Sequence, residues 1–302
     1  MGQVLSGICP CIVNKVHVEE TKATFPSPVI SETVYVAVMG STGSGKTTFI
    51  NVASGSDLKV GMGLESCTNE VQTSIPFTIG DRQILLLDTP GFDDTTMTDT
   101  DVLRIISAYL FVMHKQGIRL IGIVYMQRIS DFNVGSSARR DLRMFQELCG
   151  EEAYGNVIVV TNMWGTVPEE DGVARETELA TKDVFYKPIL ERKGVMEPTV
   201  LRIQRELAEG KDITQTAAFR QLDRELSELA LQRQKNLEQL KADMARAEQE
   251  MDEETQNELA EEKQKLEEEL RTVQTQASTL AFDYQAELRK VEEKLNIRGL
   301  TE

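Results

Sequence analysis

Residues 34–49 read VYVAVMGSTGSGKTTF, an apolar run followed directly by a glycine-rich turn. The segment Gly40–Thr47 matches the phosphate-loop pattern G-x-x-x-x-G-K-[ST] at every required position. The six residues before it are β-branched, aromatic or otherwise apolar, as in a buried parallel strand. The glycines let backbone N–H groups point at phosphates, and a helix beginning near Lys46 directs its positive end at the same anion. The sequence therefore predicts binding of a nucleoside triphosphate.

The residue types in this loop have separate predicted roles. Lys46 would bridge the β- and γ-phosphates and is a catalytic candidate, and the Thr47 hydroxyl would hold Mg²⁺. The alternative is a Gly/Ser turn that contains a lysine by chance, but the strand before it and the helix after it argue against that. The predicted nucleotide-binding residues of the loop are Gly40, Ser41, Thr42, Gly43, Ser44, Gly45, Lys46, Thr47 and Thr48.

Two further segments supply candidates for sensing the metal ion and the γ-phosphate. Asp88 ends the strand-like run QILLLD, where its carboxylate can hold Mg²⁺ through a water molecule. Gly91 can offer a backbone N–H to the γ-phosphate. A loop hydroxyl is expected between the first helix and the second strand, and Thr68 is the candidate as metal ligand and catalytic residue, with Ser66 as the fallback. Together these residues predict a Mg²⁺-dependent site.

The remaining pattern alternates strands with helices, which predicts a doubly wound, mainly parallel α/β sheet over residues 31–195. Pro188 should kink or end the last helix of this unit. The predicted elements are helices over 46–53, 101–115, 136–148 and about 176–192, strands over 118–126 and 156–161, and a strand pair over 71–79 and 83–87 that turns at Gly80-Asp81.

Residues 201–298 have a different composition, mostly Glu, Gln, Lys, Leu, Ala and Arg, with no proline. Apolar residues recur by threes and fours over 237–251 and 266–284, which predicts a long helix that forms a coiled coil. Two eight-residue steps, from Leu229 to Leu237 and from Met251 to Leu259, resemble stutters. The alternative is a single solvated helix held by i,i+4 ion pairs. The recurring apolar seam favours association with a second helix.

Composition excludes some function classes. The formal net charge of the 302 residues is −16, which argues against a general nucleic-acid binder. No apolar run approaches the ~20 residues that a membrane-spanning helix needs. Four cysteines in a chain of this length do not make a disulfide framework, which fits a reducing, cytoplasmic setting.

Residues 1–30 are predicted to be a flexible arm with a lipid anchor. The start MGQVLS matches the N-myristoylation pattern at Gly2, and Cys9 and Cys11 are candidate palmitoylation sites. A second signal matters because one myristoyl chain gives only reversible membrane binding. The alternatives are a chance Met-Gly start with idle cysteines, or a C-x-C zinc site, for which too few other ligands lie nearby. The expected location is the cytosolic face of a membrane, on its inner leaflet.

The motifs GSTGSGKTT, SCTNEVQ, LLLDTPGFDD and VVTNMW together resemble those of septin-like GTPases, the translation-factor-related group that includes the chloroplast-import and immunity-associated (paraseptin) GTPases. The resemblance covers about residues 30–193. It implies a P-loop G domain that acts as a GTP switch, uses Mg²⁺ as cofactor and often forms a homodimer across the nucleotide.

Two departures from that family pattern bear on the function. The guanine motif [NT]-K-x-D is replaced by residues 161–164, TNMW, so Thr161 and Asn162 are the base-contact candidates and the guanine-binding carboxylate is missing. Trp164 could stack on the base instead. The stretch between about residue 192 and the C-terminal helix is also too short for the expected edge strand, base loop and closing helix. Either the sheet ends early, or the chain is a shortened form whose site is incomplete.

The predicted turnover is slow, because Phe92 follows Gly91 and cannot position an attacking water as a glutamine does. Arg139 and Arg140 are either trans-acting cations or part of a solvated helix face. The favoured function is a lipid-anchored, GTP-binding switch with slow Mg²⁺-dependent hydrolysis, whose coiled coil mediates self-assembly or partner binding. The alternatives are a membrane-associated scaffold with a vestigial nucleotide site and an ATP-binding protein.

Overall fold

The computed structural model describes residues 33–60, 69–92, 97–131, 136–192, 194, 197–250 and 253–297. An α/β unit comes first and a set of helices packs against it. The elements are β1 (Val34–Met39), α1 (Lys46–Ser54), β2 (Gln72–Thr73), β3 (Phe77–Ile79), β4 (Arg82–Asp88), α2 (Asp99–Lys115), β5 (Leu120–Arg128), α3 (Ser136–Cys149), β6 (Val157–Asn162), α4 (Glu169–Thr181), α5 (Lys187–Leu190), α6 (Arg202–Ala208), α7 (Ala217–Glu250) and α8 (Glu253–Ile297).

The sheet is mostly parallel, as predicted. Its strand order is β2-β4-β1-β5-β6, with β3 pairing the first residues of β4. Strands β4, β1, β5 and β6 run parallel, and β2 and β3 run antiparallel to β4. The predicted turn at Gly80-Asp81 is confirmed, since Ile79 pairs with Arg82. The strand predicted over 71–79 is divided in two around Pro76, which has no N–H to give to the ladder.

The core forms on both faces of the sheet. Ala37 and Met39 of β1 belong to the large apolar cluster under α2 and α3, and Val36 and Val38 belong to a smaller cluster with Ile50 of α1. Alternate residues of one strand are thus buried on opposite faces, as a parallel strand between two helical layers requires. This double burial fixes the end of β1, from which the phosphate loop departs.

The helix predicted from about Glu176 begins earlier, at Glu169, and ends at Thr181. Three acidic residues in its first turn favour that start, because they face the positive end of the helix dipole. Pro188 lies in the first turn of the separate helix α5. Proline is accepted there because the first-turn N–H groups have no intrahelical partner.

Within the described residues the sheet ends at β6, and no strand follows it. Thr199 makes only an isolated antiparallel bridge with Leu120. Helix α6 then packs against α2, where Gln204 Nε2 donates to the Leu110 carbonyl at 2.8 Å. The interpretation in which the sheet ends early therefore describes this part of the chain.

The long single helix predicted after residue 201 is instead divided into α6, α7 and α8. Gly210 leaves α6 with a φ of 87°, and Asp212 then caps a short 3-10 turn, so the chain changes direction before α7. Helices α7 and α8 pack against each other, and α8 also packs along α2. Of the eight predicted seam residues whose side chains are described, five are buried and three are half-buried; the buried ones are Leu237, Leu240, Val273, Leu280 and Tyr284.

Several predicted residues lie outside the described part. They are Gly2, Cys9, Cys11, Ser66 and Thr68. Among the residues that are described, none of the helices has the combination of length and apolarity that crossing a bilayer would require.

Candidate functional site

The phosphate loop depends on glycine at three positions. Gly40, Gly43 and Gly45 have φ angles of 139°, 74° and 85°, which side-chain-bearing residues rarely adopt. A Cβ on Gly40 would also lie 2.4 Å from the carbonyl oxygen of Met126, two residues before the end of β5. The loop is therefore held tightly against the carboxyl edge of the sheet, directly before the N-terminus of α1.

Lys46 is 6% exposed and its ammonium group is held inside the loop. Its Nζ donates to the carbonyls of Gly40 at 2.9 Å and Ser41 at 3.0 Å. These contacts fix a positive charge at the first turn of α1, where backbone N–H groups are also unpaired within the helix. A cation and a helix N-terminus at one point make a binding site for an anion.

Thr47 and Asp88, two of the three predicted metal ligands, are in contact with each other. The Thr47 hydroxyl donates to Asp88 Oδ2 at 2.7 Å. Asp88 is fully buried, and its Oδ1 has no hydrogen-bond partner among the described residues. A buried carboxylate oxygen without a donor is rare and fits a hard cation. No cluster of three His, Cys, Asp or Glu surrounds it in that part of the chain, so Mg²⁺ would also depend on phosphate and water oxygens.

The charge of Asp88 is costly in this environment. Burial raises the pKa of Asp88 above its ordinary value of 3.8, and the hydrogen bond from Thr47 and the charge of Lys46 oppose that rise only in part. A divalent cation would supply the missing compensation and favour the ionised carboxylate.

We expect Asp88→Asn to make the folded chain more stable and, at the same time, to abolish the effect of Mg²⁺ on nucleotide binding. Because the folded-state pKa is raised, the stability linked to Asp88 is present below pH 3.8 and is lost as pH rises through the folded pKa. The neutral amide should therefore raise the free energy of unfolding at pH 7 by about 1 kcal/mol. It should also remove the gain in nucleotide affinity from Mg²⁺. Urea unfolding and titrations with and without Mg²⁺ measure these two effects.

The matched control is Asp81→Asn, which changes an exposed acid just before the same strand. It should leave both quantities unchanged. If Asp88→Asn gains as much affinity from Mg²⁺ as the wild type, the metal subsite is misassigned.

Gly91 lies against the phosphate loop. A Cβ on Gly91 would be 2.5 Å from the Thr42 nitrogen, and the Thr42 hydroxyl donates to the Gly91 carbonyl at 3.2 Å. The Thr42 N–H donates to the Phe92 carbonyl at 2.9 Å. Phe92 itself is 3% exposed and packs in the large core cluster. The segment after Asp88 thus contacts the phosphate loop, and the Phe92 ring is packed in the core.

The last two residues of β6, Thr161 and Asn162, direct their side chains to different neighbours. Asn162 Nδ2 donates to the Ser44 carbonyl in the phosphate loop, and its Oδ1 has no partner among the described residues. The Thr161 hydroxyl donates to Glu176 and accepts from the Trp164 indole, both at 3.2 Å. The Trp164 ring lies so close to Gly172 of α4 that a Cβ there would be 2.7 Å away. Asn162 is therefore at the site, and base stacking by Trp164 would require the ring to leave this packing.

One buried residue at the site was not anticipated. Asp141 of α3 is 1% exposed and accepts a hydrogen bond from the Ser41 hydroxyl at 2.8 Å. Nothing in the sequence distinguishes it from a surface acid on an amphipathic helix. Next to it Arg140 Nη2 lies 2.9 Å from Asp99 of α2, and Arg139 is exposed. Arg140 thus takes part in an ion pair within the chain.

Residues 35–162 match a protein family described as 50S ribosome-binding GTPases. A comparison with curated proteins found no significant match. Among solved structures, Toc33 from Arabidopsis thaliana in complex with GDP and Mg²⁺ is similar at 18% identity and a TM-score of 0.43, over 53% of this chain and 64% of that one. The chain thus spans less than two thirds of Toc33.

Two bacterial structures are each similar to about half of this chain. A variant of Aquifex aeolicus Era bound to GDP and AlF₄⁻ has 21% identity and a TM-score of 0.31, over 50% of this chain and 48% of that one. The G domain of the T. maritima FeoB iron transporter has 18% identity and a TM-score of 0.29, over 48% and 99%. The family match and the loop geometry together make residues 35–162 a G domain of the P-loop GTPase type.

Proposed function

We propose that this chain is a GTP-binding switch, anchored to the cytosolic face of a membrane, that hydrolyses GTP slowly with Mg²⁺. The observation that carries the nucleotide part is one cluster at the carboxyl edge of the sheet. There Lys46 is held within a glycine-rich loop, and Asp88, whose Oδ1 has no partner in the part of the chain that the structure describes, accepts a hydrogen bond from the Thr47 hydroxyl. A cation, a helix N-terminus and a metal-binding carboxylate at one point suit a nucleoside triphosphate with its Mg²⁺.

The preference for GTP is supported by the family match over residues 35–162 rather than by base contacts. Asn162 supplies one amide near the base side of the loop, and Met163 and Trp164 supply no carboxylate for the guanine N–H groups. A site without that carboxylate should discriminate weakly between guanine and adenine. We therefore expect GTP to bind more tightly than ATP by a modest factor, about 10-fold.

Competition binding tests this proposal. Fluorescent GTP bound to the purified chain should be displaced by unlabelled GTP at a lower concentration than by ATP, and Lys46→Ala should not bind the probe. Equal displacement by the two nucleotides would favour the ATP-binding alternative. Phosphate release above that of Lys46→Ala would support hydrolysis, and release equal to that variant would favour a vestigial site.

The membrane part of the proposal depends on the pattern at Gly2, Cys9 and Cys11. Two acyl signals would give stable attachment, whereas one gives reversible binding. The test is partition of the full chain between membrane and soluble fractions of cells. Gly2→Ala should move it to the soluble fraction, and Ser6→Ala, which keeps the N-terminal glycine, is expected to reduce acylation less. Unchanged partition of Gly2→Ala would contradict the anchor.

We further propose that the C-terminal helices form the surface for self-assembly or partner binding. Much of the apolar seam is buried between α7, α8 and α2, so pairing in trans would use the faces that remain exposed, including the one that carries Leu231 of α7. A membrane scaffold that uses these helices without nucleotide turnover is the second candidate. Light scattering with and without GTP distinguishes the two, because only the switch should change its oligomeric state with nucleotide.

A further inference from the structure

Arg128 occupies a position that the nucleotide motifs do not assign. It is the last residue of β5 and pairs in register with Asn162, the last residue of β6. The strand order is β1-β5-β6, so Arg128 lies between the phosphate loop, which follows β1, and Asn162. In parallel α/β sheets a ligand binds beyond the carboxyl ends of the strands, so Arg128 lies along the path of the nucleotide.

The guanidinium of Arg128 lies directly against the phosphate loop. A Cβ on Gly43 would be 3.2 Å from Arg128 Nη1, and a Cβ on Gly45 would be 3.0 Å from Asn162 Nδ2. The side chains of Arg128 and Asn162, from the ends of adjacent strands, thus each lie beside one glycine of the phosphate loop. Gly43 is exposed, so this part of the loop is open to a ligand.

Asp131 holds the arginine in this place. Arg128 Nε lies 3.0 Å from Asp131 Oδ1, and Asp131 also accepts from Gln127 Nε2 at 3.4 Å. Neither Nη atom of Arg128 has a hydrogen-bond partner among the described residues, and the side chain is 32% exposed. The carboxylate therefore orients the planar cation through Nε and leaves the two Nη groups, which match phosphate and hydroxyl acceptors, for a ligand.

Neither Asn162, which stands where the family pattern has a lysine, nor Met163 after it provides such a charge. Met163 is 39% exposed and its side chain is uncharged. We propose that Arg128, positioned by Asp131, is a nucleotide-binding residue that contacts the ligand where the diphosphate joins the ribose. This inference rests on the proposed nucleotide site. Because the contact is to phosphate and ribose, it strengthens binding of guanine and adenine nucleotides alike.

Titration of GDP and ADP against purified variants tests the inference. Arg128→Ala should weaken each nucleotide that the wild type binds by the same factor, about 10-fold, as for loss of one charge-assisted contact. Arg128→Lys keeps the charge without the planar fork and should recover part of this loss. Arg82→Ala removes an exposed arginine at the opposite end of the sheet and should bind as the wild type does. Thermal unfolding without nucleotide checks that each variant is folded.

Asp131→Asn distinguishes positioning from a structural role. It should weaken GDP binding by a smaller factor, and that effect should vanish in the Arg128→Ala background, because the carboxylate acts through the arginine. Unchanged affinity of folded Arg128→Ala, while Lys46→Ala fails to bind, would overturn this inference and leave the nucleotide site in place. A wild-type chain that binds neither nucleotide would overturn both. Loss confined to GDP would show a base contact and contradict the base-independent role.

Discussion

Replacing Lys46 with alanine should weaken GTP binding by about 100-fold or more, because the ammonium group would donate to two phosphates and each charged hydrogen bond contributes about 1.5–3 kcal/mol. The geometry makes this residue hard to replace. Its Nζ donates to the Gly40 and Ser41 carbonyls. The loop packs so tightly that even a Cβ on Gly40 would clash with the Met126 carbonyl. Isothermal titration with GTP and GDP in Mg²⁺ measures the loss.

The control for Lys46→Ala is Lys59→Ala, which removes an exposed lysine shortly after α1 and should bind GTP as the wild type does. Since Lys46 also ties two carbonyls of its own loop, the unfolding midpoint of the variant must be measured without nucleotide. A folded Lys46→Ala chain that binds GTP within a few-fold of the wild type would show that the phosphate loop is not the binding site.

The phosphate loop and the position of Asp88 beside it could be predicted because local sequence dictates them. Gly43 and Gly45 can adopt positive φ angles because they have no Cβ. The buried strand that ends in Asp88 places its carboxylate at the carboxyl edge of the sheet. Strands β1, β5 and β6 were predicted for the same reason, since continuous apolar runs of that length indicate buried parallel strands.

The contacts that depend on distant elements could not be predicted in the same way. Asp141 reaches Ser41 only because α3 packs beside the loop, and Trp164 is turned towards Gly172 by a helix that begins earlier than its periodicity suggests. Arg128 carries a weak signal in the sequence, as a cation at the end of a buried strand. Its neighbour across the sheet, Asn162, becomes apparent only with the register of β5 and β6.

The C-terminal seam shows the limit of periodicity. Spacing by threes and fours predicts an apolar stripe and says nothing about what covers it. In the structure α8 lies along α2, with Lys115 paired to Glu292 at 2.7 Å and Arg104 to Asp283 at 3.3 Å. Near its end Lys294 lies 2.9 Å from Glu70 and donates to the Val71 carbonyl at 3.1 Å. The stripe is thus largely covered by the same chain, which places α8 against the G domain.

Leu280→Ala should lower the free energy of unfolding by about 3 kcal/mol. Leu280 is 1% exposed on α8 and belongs to the large core cluster that also contains residues of α2 and α7. Truncating a fully buried leucine removes its transfer free energy and leaves a cavity, which together cost about 2–5 kcal/mol. Urea unfolding followed by circular dichroism measures the change, since α7 and α8 account for most of the helix in the chain.

The matched control is Phe282→Ala, because Phe282 lies two residues away on the same helix and is 85% exposed. Its truncation should change the free energy of unfolding by less than about 0.5 kcal/mol. If Leu280 is covered by its own chain, the midpoint of the wild type and the loss in the variant should both be independent of protein concentration. If a second copy covers it, the midpoint should rise with concentration by mass action. Equal losses for the two variants would contradict the packing of α8 on the G domain.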